Sequence, residues 1–597
     1  MLKYIELLTD KEYDMVQKLF KQMVISQIVS AMAVMLCLVI DSIMIGRFLG
    51  TDAMAAYGLA NPVLLIFAAF GSLLSSGIQV VCSRAMGTGD EEKINRCYSL
   101  SVIIAVSVSL VGVAVVIIFA DPLCRLLGAK EGTVVFRLTK DYLIGFVLGA
   151  PFFIAAQILV PFLQMSGQRI RLVVAVLSMT VADVGFDLLN VFVLKKETFG
   201  MGLASTVSYV VAVAIGIVYF FRKSCIYKFS FKNLGNGLFK EIAKGGVPTM
   251  VNQVSLVLLV FLVNKTMMRV GDEIAVAAYS IVSTIANIGY CIGNGISEVT
   301  LMLGGISYNE EDEQSLSEIV KQQTLFSVVI NFIVMIAFLV LADPLVSLFV
   351  KPEALEQSQA VFGLRMFALC LILSSINAAF KKYYQSINMI HFSESIAVVQ
   401  NLIFPAVVVI IFSAIFGTKG VWFYYMIGEA LSLIYISIYV WRKSKKKFGS
   451  HDSYVCLPED FGASPGEAIE MEINDLSEIQ EAAVEASEFC IEKGVSKKKA
   501  MYTALCIEEM SNNIVSHGFV KGKDNQIDIR LVHKGGEELI VRIRDNCKGF
   551  DPVKYYQMTK PDMDDPTKHI GIRMVFKMTK DVKYVNSLGL NCLTMKI

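Results

Sequence analysis

The chain has 597 residues, a formal net charge of +1 and a mean hydropathy of +0.59, and 55% of its residues are hydrophobic. Its 12 cysteines are scattered without Cys-x-x-Cys pairs, which excludes a disulfide framework or a cysteine zinc site as the organising feature. The averages cover two unlike parts that meet near Trp441. Because charge is segregated between them, the net value says little about partners, and no nucleic-acid partner is expected.

The first part has the pattern of a membrane protein. Apolar runs of roughly 20 residues recur between Leu19 and Trp441, each long enough to cross a ~30 Å hydrocarbon core as a helix. Examples are Val24–Ile40, Ser101–Phe119 and Leu325–Leu341. Only helices and closed barrels satisfy their backbone groups in lipid, and runs this continuous are helical. We therefore expect an all-α polytopic membrane protein with about twelve spans.

The distribution of lysine and arginine predicts the topology. The basic run Arg442–Lys447 directly follows the last apolar segment, which predicts that the rest of the chain stays in the cytoplasm. The polar stretch Met1–Lys21 lacks a signal-peptide pattern, so the N-terminus is also expected inside. The acidic stretch Tyr308–Glu313 breaks the pattern, but acidic residues weigh little in this rule. Basic residues expected in loops on this side include Arg84, Lys93, Arg96, Arg169, Arg171, Lys381 and Lys382.

Two sequence words recur within the apolar part. Ala120–Leu123 recurs as Ala342–Leu345, and Ala55–Tyr57 recurs as Ala277–Tyr279 at the same spacing. This pattern predicts a duplicated half. An even number of spans in each copy makes both copies enter from the same side, as in transporters with parallel repeats. The predicted units are residues 1–221 and 241–441, with a basic loop at 222–240 between them.

Four segments of this part resemble the MATE family (multidrug and toxic compound extrusion). They are Asp41–Gly50 with the alanines that follow it, Arg84–Gly87, Gln164–Gln168 and Gly245–Pro248. The resemblance covers almost all of Leu19 to Trp441. It implies twelve helices in two bundles of six, a central cavity, and export of small organic compounds, cationic ones among them, driven by H⁺ or Na⁺. It also implies a multi-pass protein of a bacterial plasma membrane.

Three carboxylates fall inside the predicted spans of the first half. Asp41 ends the first apolar run, and Asp187 lies in the fifth span at a similar expected depth. Asp183 precedes Asp187 by one helical turn, on the same face. Ionisable groups within membrane spans are costly, and they usually mark ion or substrate pathways. Clustered carboxyl groups away from water can bind a proton on one side and release it on the other.

The family resemblance assigns these carboxylates a role. The proton-coupled branch of the MATE family uses an Asp in helix one and an Asp in helix five, and Asp41 and Asp187 match those positions. Asp183 and Thr206 are the expected hydrogen-bond partners. The Na⁺-coupled branch has acids in helices seven and ten, where this chain has amides, so H⁺ is favoured over Na⁺. These amides are Asn252, Gln253 and Asn377. Glu429, in the last span, is a further candidate facing a second cavity.

The second part has the alternation of a soluble domain. After a basic and polar linker at 442–469, residues 470–597 are expected to form an α/β sandwich, a sensible size for a domain. Helices are expected at Leu476–Lys493 and Lys497–His517. Strands are expected at Gln526–Val532, Glu538–Arg544, Lys583–Val585 and Leu593–Ile597, with a turn at Lys534–Gly536.

Three patches of this domain can carry nucleotide chemistry. Glu509 and Asn513 share one helical face, where a carboxylate can activate a nucleophile and an amide oxygen can bind Mg²⁺. Asp545 follows a strand and can accept a hydrogen bond from an adenine amine, while Gly549 permits a tight turn. Gly571 opens a helix whose N-terminal amides can hold phosphate. Taken singly, each patch is more typical of a solvated helix face or an ordinary turn.

In this order and spacing, the patches resemble the N, G1 and G2 boxes of the GHKL ATPases, and most of all the anti-sigma-factor serine kinases. Glu509, Asn513 and His517 match the N box. The resemblance implies ATP and Mg²⁺ as cofactors, with Arg573 in the third box as a further nucleotide contact and Val553–Lys568 as a lid. Two residues depart from the usual glycines, which puts turnover in doubt. They are Cys547 in G1 and His569 in G2.

Three functions are compatible with these patterns. The first is an efflux transporter with an ATP-binding regulatory domain. The second is a membrane-tethered serine kinase whose MATE-like half senses a small molecule, with a STAS-type anti-anti-sigma protein or a sigma factor as its partner. The third is a flippase for lipid-linked precursors. The retained Asp41 and Asp187 favour transport, whereas Glu509 favours catalysis over a passive ATP sensor. An ATP-driven pump is disfavoured because the chain has no Walker A sequence.

Overall fold

The structure is a computed structural model of the 597-residue chain. It describes residues 14–49, 51–88, 90–127, 129, 131–222, 225–230, 236–347, 355–458, 461–463, 466–520, 525–558, 570–587 and 589–597. The fold class expected from the sequence is confirmed: a helical membrane half precedes a small α/β domain.

The first bundle contains eight helices over the predicted first half. Its longest members carry the apolar runs, because a continuous apolar sequence can satisfy its backbone only as a helix in lipid. The bounds are α1 (Asp14–Met44), α2 (Thr51–Gly87), α3 (Glu91–Ile118), α4 (Ala120–Leu126), α5 (Val134–Val147), α6 (Ala150–Met165), α7 (Arg169–Leu189) and α8 (Glu197–Ile217).

The second bundle begins with a helical element of 74 residues, α9 (Asn236–Asn309). Both of its ends contact the final turns of α2: Ile242 lies against Gly77, and Ile306 lies against Gly87. The element therefore doubles back and provides two passages. The remaining bounds are α10 (Glu313–Ser347), α11 (Leu355–Ser386), α12 (Ile390–Val398), α13 (Phe404–Phe416), α14 (Thr418–Val421) and α15 (Tyr424–Ser444).

Within the described part of the chain, nine helical segments are long and apolar enough to cross a membrane. The number becomes ten if α5 and α6, bent by 48° at their junction, count as one span. Two further long helical segments fall outside that count: α1 and the second half of α9.

The basic residues expected in loops lie instead within the terminal turns of helices: Arg84 in α2, Lys93 and Arg96 in α3, Arg169 and Arg171 in α7, and Lys381 and Lys382 in α11. Lys381 and Lys382 differ most from the prediction, because they are only 9% and 7% exposed. They contact polar groups of the helices around them, which removes the need for water. The polar linker also differs from the prediction, because residues 451–455 form a short helix, α16 (His451–Val455), that packs on the second bundle.

The C-terminal domain has one five-stranded antiparallel sheet in the order β1-β2-β3-β5-β4. Three of its helices, α17, α18 and α20, cover one face, where residues such as Ile507 and Ile543 form an apolar core. The predicted helices and strands are present within a few residues, and β1 is an addition. The bounds are β1 (Ala468–Ile473), α17 (Glu478–Glu492), α18 (Lys497–Gly518), β2 (Ile527–His533), β3 (Leu539–Asp545), α19 (Pro552–Met558), α20 (Ile570–Met578), β4 (Asp581–Ser587) and β5 (Leu590–Lys596).

Candidate functional sites

Three buried carboxyl groups meet inside the first bundle. Asp41 lies on α1, and Asp183 and Asp187 lie one turn apart on α7. They are 8%, 3% and 1% exposed, and Asp41 lies within electrostatic range of both of the others. The fold therefore brings together the three acidic residues that the sequence singled out. Buried carboxyl groups this close repel one another when they are ionised, so the cluster is suited to hold H⁺ or a cation.

Two tyrosines that the sequence analysis did not select complete the surroundings of this cluster. Tyr57 of α2 and Tyr142 of α5 lie within electrostatic range of Asp41, and their rings meet edge to face at 5.4 Å. Tyr57 belongs to the duplicated Ala-Ala-Tyr word, and its repeat equivalent, Tyr279, lines a cavity in the second bundle. The repeat was the signal that could have indicated it.

Thr206 has a different role from the one expected. Its hydroxyl donates to the backbone oxygens of Gly145 (2.9 Å) and Gly202 (3.2 Å), which joins α8 to α5. It thus stabilises the packing around the cluster through the backbone. Asn190 has a similar structural use, since its side chain bonds the backbone of Lys196 and Glu197 and orders the turn into α8.

The second bundle holds a cavity of about 150 Å³ that Glu429 helps to line. The Glu429 carboxylate accepts hydrogen bonds from Asn377 (2.8 Å) and Gln400 (3.0 Å). Lys381 donates to Gln400 (3.1 Å) and to Asn252. Two of the three amides that stand where the Na⁺-coupled branch has acids are thus hydrogen-bonded to buried charged groups: Asn377 to Glu429, and Asn252 to Lys381. Lys381 was missed because its position beside Lys382 resembled the end of a span.

The two bundles are closed against each other at the end that carries the C-terminal domain. Lys382 of α11 donates to Ser76 of α2 (3.3 Å), and Gln385 donates to the same hydroxyl (2.9 Å). Arg84 of α2 donates to the backbone oxygen of Gln385 (3.2 Å). At Gly246 of α9, a Cβ would collide with the backbone of α2, so the helices touch at backbone distance. We call this contact between α2, α9 and α11 the seam.

The C-terminal domain has a cavity of about 320 Å³ between α18, α19, α20 and the sheet. Four of the residues selected from the sequence line it: Asn513, His517, Asp545 and Gly549. The Asn513 side-chain amide donates to the backbone oxygen of Glu509 (2.7 Å), which leaves its amide oxygen available to a ligand. The volume lies at the lower end of the range for small-molecule sites.

A hydrogen-bond chain fixes the floor of this cavity. Asp545 is 4% exposed and accepts from the backbone amide of Cys547 (2.9 Å) and the side chain of Asn591 (2.7 Å). Asn591 accepts in turn from the hydroxyl of Tyr584 (2.7 Å). Burial, together with the negative charges of Asp545 and Asp551, holds the pKa of Tyr584 above its ordinary value, so this hydroxyl stays protonated and keeps donating. Sequence reasoning missed Asn591 and Tyr584, which come from the two closing strands.

Glu509 and Gly571 adjoin each other at the start of α20. A Cβ on Gly571 would overlap the Glu509 carboxylate, so a larger residue at this position would displace that side chain. The arrangement puts an acidic side chain beside the N-terminal amides of a helix, where phosphate binds in many proteins. Arg573 lies on the same helix, outside the cavity lining. His569 and most of the expected lid lie outside the described residues.

The fold and the two sites define a polytopic, duplicated helical membrane protein that carries a nucleotide-type α/β domain. The MatE family model matches this chain twice, over residues 27–189 and 248–411, and a histidine kinase-like ATPase domain matches residues 474–597. The chain belongs to the MATE transporter family, and it carries an ATPase-like domain of the histidine kinase type at its C-terminal end.

Relatives and solved structures agree with this assignment. The multidrug export protein MepA of Staphylococcus aureus (strain bovine RF122 / ET3-1) is 26% identical over 390 residues, which cover 65% of this chain and 85% of MepA. MepA of Staphylococcus saprophyticus is also 26% identical, over 64% of this chain and 84% of its own length. A crystal structure of MATE in complex with MaL6 is 20% identical with a TM-score of 0.67, and covers 70% of this chain and 94% of the other. An outward-facing MATE transporter of the MOP superfamily gives the same identity and score over 72% and 96%.

Proposed function

We propose that the membrane half exports small organic compounds in exchange for a cation, with H⁺ as the coupling ion. The contact among Asp41, Asp183 and Asp187 carries this proposal. Three carboxyl groups confined away from water repel one another when ionised, so binding H⁺ or a cationic compound relieves the same repulsion. Two ligands that compete for one charged cluster can be exchanged across the membrane. The MepA relatives are named as multidrug export proteins, which supports the substrate class.

The test is the replacement of single carboxylates by amides. Asp41→Asn and Asp187→Asn are expected to abolish export of a fluorescent organic cation such as ethidium, and to abolish its dependence on a pH gradient, while the protein stays in the membrane. Asp121→Asn is the matched control, because Asp121 is exposed and pairs with Lys140 at the protein surface. Full gradient-driven export by Asp41→Asn would refute the coupling role.

We further propose that the C-terminal domain binds ATP with Mg²⁺ and regulates the membrane half from the cytoplasmic side. The cavity fits this ligand, because it combines a buried carboxylate for the adenine amine, a tight turn at Gly549 and the N-terminus of α20 for phosphate. A Cβ at Gly549 would stand 3.3 Å from Asn591, where it would narrow the cavity. Among the described residues no three His, Cys, Asp or Glu side chains form a metal site. Mg²⁺ would therefore be held by Asn513 together with the phosphates of the nucleotide.

Nucleotide binding to the full-length protein tests this assignment. Asn513→Ala is expected to weaken Mg-ATP binding by at least about tenfold, the effect of a lost hydrogen bond to a charged group. Asn512→Ala is the control, since Asn512 is one position along the same helix and is not among the residues that line the cavity. Equal Mg-ATP affinity in the two variants would refute the Mg²⁺ role of Asn513.

A second candidate function is a membrane-tethered serine kinase, and the position of Glu509 beside Gly571 supports it. A carboxylate at that place can deprotonate a hydroxyl nucleophile next to bound phosphate. If the full-length protein turns over Mg-ATP, and Glu509→Ala removes the turnover while binding persists, the kinase is favoured and a STAS-type protein is the substrate to try. Binding without turnover would leave an ATP-sensing transporter.

A further inference from the structure

The C-terminal domain contacts both bundles at the end where the seam is closed. The two contacts differ in burial and in strength. One is a buried ion cluster with the second bundle, and the other is a small, partly exposed contact with the first bundle. The domain is therefore held more firmly by the second bundle than by the first.

The contact with the second bundle is made by the acidic turn between α9 and α10. Asp312 lies between two arginines of the sheet, with 2.6 Å to Arg530 and 2.7 Å to Arg542. Glu310 lies 3.0 Å from Arg542 and also pairs with Arg544. These five side chains are 4% to 13% exposed. The acidic turn that did not fit the topology rule therefore has partners more than two hundred positions later in the chain.

This ion cluster offsets a like-charge pair in the sheet. Arg530 and Arg542 are directly opposite each other on neighbouring strands, where like charges repel. Burial would raise the pKa of Asp312, but the guanidinium groups of Arg542, Arg530 and Arg544 outweigh burial and hold it well below its usual range. Asp312 is therefore ionised and neutralises the pair. Removing the turn would take away the acidic groups closest to these buried positive charges.

The linker reinforces the attachment to the second bundle. Tyr383 and Tyr384 of α11 donate to the backbone oxygens of Val455 and Tyr454, both at 2.9 Å. Phe461 stacks on Tyr308 with 5.1 Å between ring centroids. The domain is thus attached to the second bundle through its sheet and through its linker.

The contact with the first bundle is weaker. Lys554 of α19 lies 3.4 Å from Glu91 at the start of α3, and both side chains are about half exposed. Leu590, at the β4–β5 turn, packs against the apolar cluster that is built mainly from the first bundle. The neighbouring Gly589 approaches the turn before α7 at Gly167. An exposed ion pair of this kind contributes little and separates readily.

The two contact points are related by the internal repeat. The spacing that relates Tyr57 to Tyr279 also relates Asp90 to Asp312. Each of these residues caps the helix that follows it, accepting from Lys93 (2.9 Å) and Ser315 (3.0 Å). The domain therefore bridges equivalent ends of the two bundles across the seam. A duplicated transporter exposes its cavity on this side by separating those ends.

We propose that the C-terminal domain is a clasp on the seam: it stays on the second bundle and must release Glu91 and the turn at Gly167 before the seam opens. This inference rests on the proposed transport function, because the seam is the part of a transporter that opens. The helix that carries the clasp also borders the nucleotide cavity, which Pro552 and Tyr555 of α19 line. A ligand that displaces α19 changes the position of Lys554 and so the hold on the first bundle.

The test measures seam opening without any transport substrate. Ser76, 3% exposed in the seam, is replaced by cysteine in the full-length protein, and its reaction rate with a maleimide is measured after subtracting the native thiols. Glu91→Lys in this background is expected to raise the rate by up to about fivefold, the factor that an exposed ion pair supports. The charge swap Glu91→Lys with Lys554→Glu is expected to restore the original rate.

Two further variants separate the clasp from general effects. Glu92→Lys makes the same charge change one residue along, at a side chain that is 71% exposed and pairs within its own helix, so the rate should not change. Leu590→Glu disrupts the hairpin contact and should raise the rate as Glu91→Lys does. An unchanged rate in both Glu91→Lys and Leu590→Glu, or an equal rise in Glu92→Lys, overturns the clasp.

Nucleotide is added in a separate arm. A change of the Ser76→Cys rate on adding Mg-ATP that disappears in Asn513→Ala supports control of the clasp through the cavity. If Glu91→Lys accelerates labelling but Mg-ATP has no effect, the clasp stands and its control by nucleotide is overturned. Failure of the proposed transport would appear instead as absent ethidium export with normal labelling, so the two failures are distinguishable.

Discussion

At the scale of single residues, this protein uses charge in three separate ways. Carboxyl groups share a site in the first bundle, an acid and a base share a polar network in the second, and three arginines meet two acids between the halves. In each case a charge that would be costly to bury alone has a partner of matching geometry. Replacing one member of such a group leaves its partner buried at a cost in free energy, so substitutions at these residues have measurable effects.

Asp528 lies on β2 and faces Glu470 and Glu472. Burial, above all, and these two acids raise the pKa of Asp528 to about 7, although Arg544 and Arg542 oppose the rise. A carboxyl group whose folded pKa exceeds its unfolded value stabilises the fold below the unfolded pKa. That contribution is lost as the pH rises from about 4 to about 7.

Asp528→Asn should therefore raise the unfolding temperature of the protein at pH 8 and leave it nearly unchanged at pH 4. Thermal unfolding across this pH range measures the effect. Asp581→Asn is the control, since Asp581 is half exposed on an edge strand. A variant that is destabilised at pH 8 would contradict the assignment, and would mean that the Asp528 carboxylate contributes a net favourable charge pair.

At the scale of elements, backbone contact between helices forms the seam. Gly246 of α9 meets the backbone of α2 at Leu73, and a Cβ there would overlap the carbonyl oxygen. Gly237, nine positions earlier in the same helix, has open space around its own Cβ position. The two glycines thus provide a matched pair in one element.

Gly246→Ala is expected to lower the unfolding temperature and to raise maleimide reaction at Ser76→Cys, because the helices must separate to admit the methyl group. Gly237→Ala is expected to be neutral, or to stabilise by roughly 0.5–1 kcal/mol, the usual advantage of alanine over glycine in a helix. A fully stable, slowly labelled Gly246→Ala variant would show that the seam is looser than its geometry implies.

Most of the helices and strands could be predicted from the sequence. Apolar length predicted the spans, and alternation predicted β2 and β3 within about one residue. β1 was missed although Ile469, Met471 and Ile473 alternate with polar residues, because the stretch follows a polar linker. Lys381 was misplaced because a lysine inside a helix and a lysine at its end look alike in sequence. The hydrogen bonds from Lys381 to Asn252 and Gln400 become visible only in the folded structure.

Some residues of the candidate sites could be predicted from the sequence, and others could not. Asp41, Asp183 and Asp187 could be selected because carboxylates in apolar runs are rare. Tyr57 was indicated only by the repeated Ala-Ala-Tyr word. Asn591 could not be selected, since asparagine is common and its role comes from contacts between distant segments. Arg530, Arg542 and Arg544 escaped notice for the same reason: solvated strand faces often carry arginine, and their acidic partners belong to the other half of the chain.

At the scale of the whole molecule, the attachment of the domain depends on the acidic turn. Replacing Glu310 and Asp312 together by their amides removes the closest counter-charges of the buried arginines, at a cost of about 3–5 kcal/mol for a broken buried pair. Protease treatment of the membrane-bound protein should then release the C-terminal domain faster. Glu311→Gln is the control, because it removes a charge from the same turn but breaks only an ion pair with Lys534 in which the Glu311 side chain is 54% exposed. Equal release rates would mean that the linker contacts alone hold the domain.

The repeat-related caps Asp90 and Asp312 show what the fused domain does to a duplicated transporter. In a transporter built of two equivalent bundles, neither bundle can be regarded as fixed while the other moves. Within the part of the chain that the structure describes, arginines contact the second copy of the cap, Asp312. The second bundle and the C-terminal domain therefore form one large unit, and the first bundle is the smaller unit. The duplication gives two equivalent bundles. The three arginines of the sheet attach the C-terminal domain to the second bundle, so the first bundle is the part that moves relative to the other two.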